Sequence, residues 1–192
     1  MVEVLMEDAP RKARELYDKG FAAMERGNLD YAMDMFLAAL DLEPRLLKAR
    51  KFLRAAEVKK FKNHKGGAVQ HVLSTLTGFP GLLQCNMQVK KNPQRAVATG
   101  EKLLRSDPLN RSFIKAFAEA AVAADMPEAA IQTLEVGKEH YPKDVPLLQQ
   151  LAGLYQDQGL TREARDCFDT LAQLRPNDPQ VIKALKDATA LD

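Results

Sequence analysis

Residues 145–178 read VPLLQQLAGLYQDQGLTREARDCFDTLAQLRPND, and the spacing of small and large side chains in this stretch decides the fold. Leu148, Leu151, Ala152 and Tyr155 recur at intervals that share one face of a helix. Gly159-Leu160 then interrupts, Ala164 and Phe168 lie one helical turn apart, and Pro176 ends the segment. The stretch is a helix, a turn and a second helix in 34 residues.

The same plan recurs towards the N-terminus. Pro44, Pro108, Pro142 and Pro176 each follow a helical segment rich in Ala and Leu, and the last three are spaced by 34. They define units 13–46, 77–110, 111–144 and 145–178. The twentieth place of every unit is alanine, at Ala32, Ala96, Ala130 and Ala164, as suits a point where two helix backbones cross closely. The eighth place is small in three units, at Gly20, Ala118 and Ala152, and the twenty-fourth is bulky in three, at Phe36, Leu134 and Phe168. Gly27-Asn28, Asn92-Pro93, Met126-Pro127 and Gly159-Leu160 supply the turns within the units.

The unit 77–110 departs from the plan, with Pro80 at its fourth place and Gly100 at its twenty-fourth. The expectation is a first helix that starts late, with Pro80 in its first turn and Gly78-Phe79-Pro80-Gly81 as a bend between units. Residues 47–76 form a degenerate unit, in which Leu47, Leu53, Val58 and Phe61 stripe one helix, His64 to Gly67 form a loop, and Ala68, Val72, Leu73 and Leu76 stripe a shorter second helix. One long helix followed by an irregular insertion is the alternative. Residues 179–190 are expected to close the stack as an amphipathic cap with Val181, Ile182, Leu185 and Ala188 inward.

These residues resemble the tetratricopeptide repeat, whose pattern of a large residue, Leu-Gly, an aromatic, Ala, an aromatic and Pro is met most fully by residues 145–178. The resemblance extends with gaps from Ala13 to Asp178. It implies an all-α fold, a right-handed α-solenoid of antiparallel helix pairs in one domain, and a role as a protein-binding scaffold.

Composition agrees with that class. With 46% hydrophobic and 28% charged residues the chain suits a globular fold, and aromatics at 6% with no Trp favour helix over sheet. No apolar run approaches the roughly 20 residues that span a bilayer, and Met1 to Pro10 carries acids rather than a basic and then apolar leader. Cys85 and Cys167 lie in helical patterns as separate buried thiols, so the expected compartment is the cytoplasm. His64, His71 and His140 read as surface histidines, none at metal-ligand spacing from another ligand, and Gly66-Gly67 is not followed by the Lys-Ser or Lys-Thr of a phosphate loop. The reading is therefore no enzyme, no cofactor, no metal and no small-molecule substrate.

Charge is the feature that points to a partner. Residues 1–44 hold 5 Lys/Arg against 10 Asp/Glu, whereas residues 45–65 hold 9 against the single Glu57, and no acid follows until Glu101. In the resembling family the first helix of each pair lines a concave groove through its second, fifth, ninth, twelfth and thirteenth places. Carried onto this chain, those places include Arg14, Tyr17, Phe21 and Met24, then Lys48, Lys51, Lys59 and Lys60, and later Gln88 and Lys115. The resemblance thus implies a peptide-binding groove, apolar at one end and positive beside it, for an acidic and apolar segment of another protein. The variant groove that clamps a C-terminal carboxylate is not matched, since its places hold Tyr17, Phe21, Phe52, Gly78 and Leu82. Two alternatives stand beside this: the basic run as a solvated helix face, with Tyr17 and Phe21 packed on the segment before Asp8, or the run as a site for nucleic acid or an anionic membrane surface. The alanine positions are testable by themselves. Ala130→Leu is predicted to overpack a backbone crossing and to destabilise the protein by about 1 to 3 kcal/mol in denaturant melts.

Overall fold

A computed structural model describes residues 4–63 and 67–190. Among these residues it holds ten α-helices and no strand. They are α1 Arg11–Glu25, α2 Leu29–Leu42, α3 Leu47–Asn63, α4 Gly67–Val89, α5 Pro93–Ser106, α6 Arg111–Ala123, α7 Pro127–His140, α8 Val145–Asp157, α9 Thr161–Leu174 and α10 Pro179–Ala190. The chain divides into two compact units, Met1–Ala130 and Ile131–Asp192, with the division inside α7.

The repeat geometry follows from three recurring local devices. Ala32, Ala96, Ala130 and Ala164 are each fully buried, as the constant twentieth place requires. The fifteenth place turns the chain between paired helices: Gly27, Asp125 and Gly159 have φ of 77°, 60° and 71°, the left-handed conformation that ends a helix. The amides that follow close the same pattern, with Asn28 N donating to Ala23 O, Met126 N to Ala121 O and Leu160 N to Tyr155 O. The thirty-fourth place starts the next pair. Asn110 accepts from the amides of Ser112 and Phe113, Asp144 from that of Leu147, and Asp178 from that of Gln180.

In the first unit α1, α2 and α3 share one apolar core that includes Ala13, Tyr17, Ala32, Met33, Phe36, Leu46 and Leu53. Gly20 allows the close approach there, because a Cβ on it would stand 2.8 Å from the Phe36 ring. In the second unit α8 packs on α9 and α9 on α10. Within the cap, Val181 and Ala188 are buried and Leu185 is half-buried, but Ile182, expected inward, is exposed.

The region 47–89 differs from the expectation. A single 23-residue helix, α4, runs through the expected unit boundary at Leu76 and Thr77, so 47–76 does not contain a short second helix of its own. Gly78-Phe79-Pro80-Gly81 is not a bend, and Pro80 lies inside α4 rather than in its first turn. His64, Lys65 and Gly66 of the expected loop lie outside the described residues. Tertiary packing overrides the helix-breaking residues here. Gly78 and Gly81 leave room for Phe113 and Leu103, which would collide with or crowd a Cβ at either place, and Pro80 is exposed. Polar bonds hold the same helix to the turn before α6. The buried Asp107 carboxylate receives Ser74 Oγ at 2.6 Å and sits 2.6 Å from His71 Nδ1, and Asn110 Nδ2 donates to Thr75 Oγ1 at 2.7 Å.

Candidate protein-interaction site

The face formed by α1 and α3 gathers a cluster of aromatic side chains in the first unit. Tyr17 and Phe21, one turn apart on α1, meet Phe52 of α3, edge to face with both, at ring-centre separations of 5.8 Å and 5.1 Å. Phe36 of α2 closes the cluster from beneath, 5.8 Å from Tyr17 and 6.1 Å from Phe52. Lys48, one turn before Phe52, places Nζ over the Tyr17 ring, 5.6 Å from its centre. An ammonium and an aromatic surface therefore adjoin on this face.

The expected groove residues divide accordingly. Tyr17, Phe21 and Lys48 come together, with Arg14 and Met24 half-buried on the same helix α1 and Met24 against the α1–α3 core. Tyr17 is 6% exposed, so it is chiefly core, and burial followed by the neighbouring Asp18 raises its phenol above the ordinary range. It packs on Phe36 and Phe52 in a core that Val4 and Met6 also join, and Phe21, 36% exposed, is the more open aromatic of the two on α1. Lys51 and Lys59 are exposed on α3. Lys60 instead pairs with Asp30 at the start of α2, and Gln88 accepts from Thr99 Oγ1 of α5 at 3.2 Å, so neither joins the aromatic cluster. Lys115 is half-buried on α6. Phe52 was missed by the groove places. Its signal was an aromatic one turn beyond Lys48 in an otherwise basic helix.

Below this face the basic block is partly internal. Arg50 and Arg54 of α3 are each 2% exposed. Arg50 Nε donates to Glu101 Oε1 of α5 at 2.9 Å and its NH1 to the Pro44 carbonyl at 2.9 Å, while Arg54 bridges Glu57 and Glu101. Both guanidinium groups lie against the Phe117 ring of α6, at 5.8 Å and 5.0 Å from its centre. Gly100 makes this possible, since a Cβ there would stand 3.3 Å from the Phe117 backbone. Burial pushes the Glu57 carboxyl up to about 7, with Glu101 adding to the rise and Arg54 and Arg105 opposing it. Burial also acts upward on Glu101, but Arg54 and Arg50 together bring it below the ordinary carboxylate range.

Two places among the described residues carry residue types that catalysis also uses. His71, expected at the surface, is half-buried against the Phe61 ring and bound to Asp107. Ser74 bonds that same carboxylate rather than the imidazole, and its hydroxyl also donates to the His71 carbonyl. A cavity of about 310 Å³ between α2 and α5 is walled by Leu37, Leu40, Val97, Met126, Arg50 and Glu101, and its carboxylate is already held by two arginines. Cys85 and Cys167 are free and buried as expected, with burial pushing Cys85 up to about 11 and Glu119 adding to it. Among the described residues no group of His, Cys, Asp or Glu is placed to hold a metal, and no helix is long and apolar enough to cross a membrane.

Paired helices with alanine at the crossing, a left-handed turn at the fifteenth place and an Asx cap at the thirty-fourth decide the type. The fold is a tetratricopeptide-like helical repeat. Among solved structures, MamA matches over 94% of this chain and 82% of its own, at 13% identity and a TM-score of 0.48. A tetratricopeptide repeat protein from Parabacteroides merdae matches over 95% and 74%, at 16% identity and a TM-score of 0.48. The thermophilic repeat protein TTC0263 of Thermus thermophilus matches over 93% and 99%, at 16% and 0.46. No protein-family model and no curated protein matches the chain.

The buried charges of this repeat give a pH dependence of defined sign. Glu57 has its folded-state value raised, so its contribution is most favourable below the unfolded value of 4.5 and is lost as pH rises through about 7. Glu101 has its value lowered, so its contribution falls away only on acidification below the ordinary carboxylate range. Urea melts at pH 7.5 and 5.5 should therefore show the wild type gaining on the order of 1 kcal/mol relative to Glu57→Gln on acidification. Parallel responses of the two proteins would contradict the assignment.

Proposed function

We propose that this repeat is a non-catalytic interaction scaffold of the cytoplasm whose α1–α3 face takes an acidic and apolar segment of another protein. The observation that carries the reading is the Lys48 ammonium standing over Tyr17 beside the Phe21–Phe52 pair. The exposed edge of Phe21 offers apolar contact, and Lys48, Lys51 and Lys59 offer charge along the adjoining helix. Cations of this kind act mainly on the rate of encounter, and a desolvated aromatic contact acts mainly on the residence time.

The ion pairs weaken the competing reading of a broad patch for nucleic acid or anionic lipid. Of the nine Lys/Arg in residues 45–65, Arg45, Arg50, Arg54 and Lys60 already meet Asp125, Glu101, Glu57 and Asp30. A polymer of phosphates would find fewer available cations than the sequence count implies.

The test uses a labelled peptide alternating Glu with Leu and Phe, followed by stopped-flow fluorescence. Reversing Lys48, Lys51 and Lys59 to Glu should lower the association rate about tenfold and flatten its salt dependence. Phe21→Ala should leave association nearly unchanged and raise the dissociation rate several-fold. Tyr17 is unsuitable as a probe because its loss opens the core. Equal peptide binding by the triple reversal, or duplex DNA binding lost with the lysines and indifferent to Phe21, would reject the peptide reading.

A further inference from the structure

Helix α4 carries an apolar stripe on its solvent side. Val72, Leu76, Phe79, Leu83 and Met87 follow one another at intervals of four, three, four and four, and each is more than half exposed, from 53% at Leu83 to 70% at Leu76. At 1.5 Å per residue the stripe is about 22 Å long. The whole helix contains no Asp, Glu, Lys or Arg, so nothing along it offsets the apolar exposure. Charge returns only beyond its ends. Lys59 and Lys62 are exposed before it, and Lys90, Lys91 and Arg95 after it.

The same helix is turned relative to α6 and α8. The seventh and eleventh places are buried as Phe117 and Ala121 in α6 and as Leu151 and Tyr155 in α8, where α9 packs. In α4 those places are Leu83 and Met87, and they face solvent. Its second and ninth places, Gly78 and Cys85, point inward instead, because Phe113 fills the space beside Gly78 and Cys85 is buried within bonding range of the Ala96 carbonyl. Helices α5 and α6 pack on this inward, glycine-bearing side, and the stripe on the other side of α4 is left open.

We propose that this stripe docks an amphipathic helix of a partner protein, with apolar residues at i, i+3/i+4 and i+7 and acidic residues at both its ends. Helix-on-helix packing at this face repeats the pairing the fold already uses. The cations beyond each end of α4 call for carboxylates at both ends of the partner helix. A second copy of this chain is disfavoured, because either orientation sets the clusters at Lys59–Lys62 and Lys90–Arg95 on one another or on themselves. An anionic bilayer would reward cations along the stripe, where α4 has uncharged side chains such as Thr75, Gln84 and Asn86. The proposal is independent of the α1–α3 reading.

The probe is a fluorescein-labelled helical peptide of about 18 residues, with Leu at those spacings and Glu at both ends, titrated by anisotropy into the full chain. The Glu-ended peptide should bind at least tenfold more tightly than one of the same core with Lys at both ends. Leu76→Ser with Leu83→Ser should abolish the binding while circular dichroism and the melt stay unchanged, since both residues are exposed. Lys90→Glu with Lys91→Glu should reduce the preference between the two peptides several-fold, because only one of the two cationic ends is changed. Equal binding of both peptides, or binding untouched by the serine variants, would overturn the proposal. So would a dimer in sedimentation, or capture on phosphatidylserine vesicles, that exceeds peptide binding and disappears with the same serine variants.

Discussion

Two arginines without water are the constraint on which the first unit depends. Arg50 and Arg54 are buried on α3, and a guanidinium removed from solvent costs several kcal/mol unless charge and hydrogen bonds are returned to it. Glu101 returns most of that from α5, Glu57 from α3 itself, and the Phe117 ring from α6. Satisfying the two cations therefore fixes where three helices meet. The compensation is incomplete, because Arg54 Nε and Glu57 Oε1 are buried with no hydrogen-bond partner among the described residues. Burial, with Glu101 nearby, raises the Glu57 carboxyl despite the opposing Arg54.

The irregularity of the repeat surrounds this network. Gly100 stands where the other units carry Phe36, Leu134 and Phe168, and its missing side chain lets Phe117 approach α5 and reach the guanidinium groups. Gly78 and Gly81 similarly admit Phe113 and Leu103 against α4, which turns the apolar side of that helix outward. Departures from the pattern thus adjoin the two surfaces proposed for partners. The α1–α3 face lies above the charges, and the α4 stripe is what its rotation exposes.

Legibility in the sequence followed repetition. Ala32, Ala96, Ala130 and Ala164 were readable as crossing points because four units agree on them, and the glycines at 27 and 159 because a helix end needs a residue that tolerates positive φ. α4 was not readable, since Gly78, Pro80 and Gly81 are local signals for a bend and the packing that overrides them comes from residues 103 and 113. The basic block was misjudged for a related reason. Arg50 and Arg54 find Glu101 at separations of 51 and 47 residues, and Lys60 finds Asp30 at 30, distances over which a charge count cannot assign partners. The candidate face was half readable: Tyr17, Phe21 and Lys48 lie together, while Phe52 joins through packing between helices.

The dependence of the first unit on its buried charges is tested most directly by Glu101→Ala, measured by urea denaturation beside the wild type. The change removes the carboxylate shared by Arg50 and Arg54 and leaves Arg54 with Glu57 and Arg50 with only the Pro44 carbonyl among its polar partners. The expected loss is about 3 to 5 kcal/mol with the m-value unchanged. A loss below about 1 kcal/mol, the range of an exposed ion pair, would contradict the account and show that the helices meet there for reasons of shape alone.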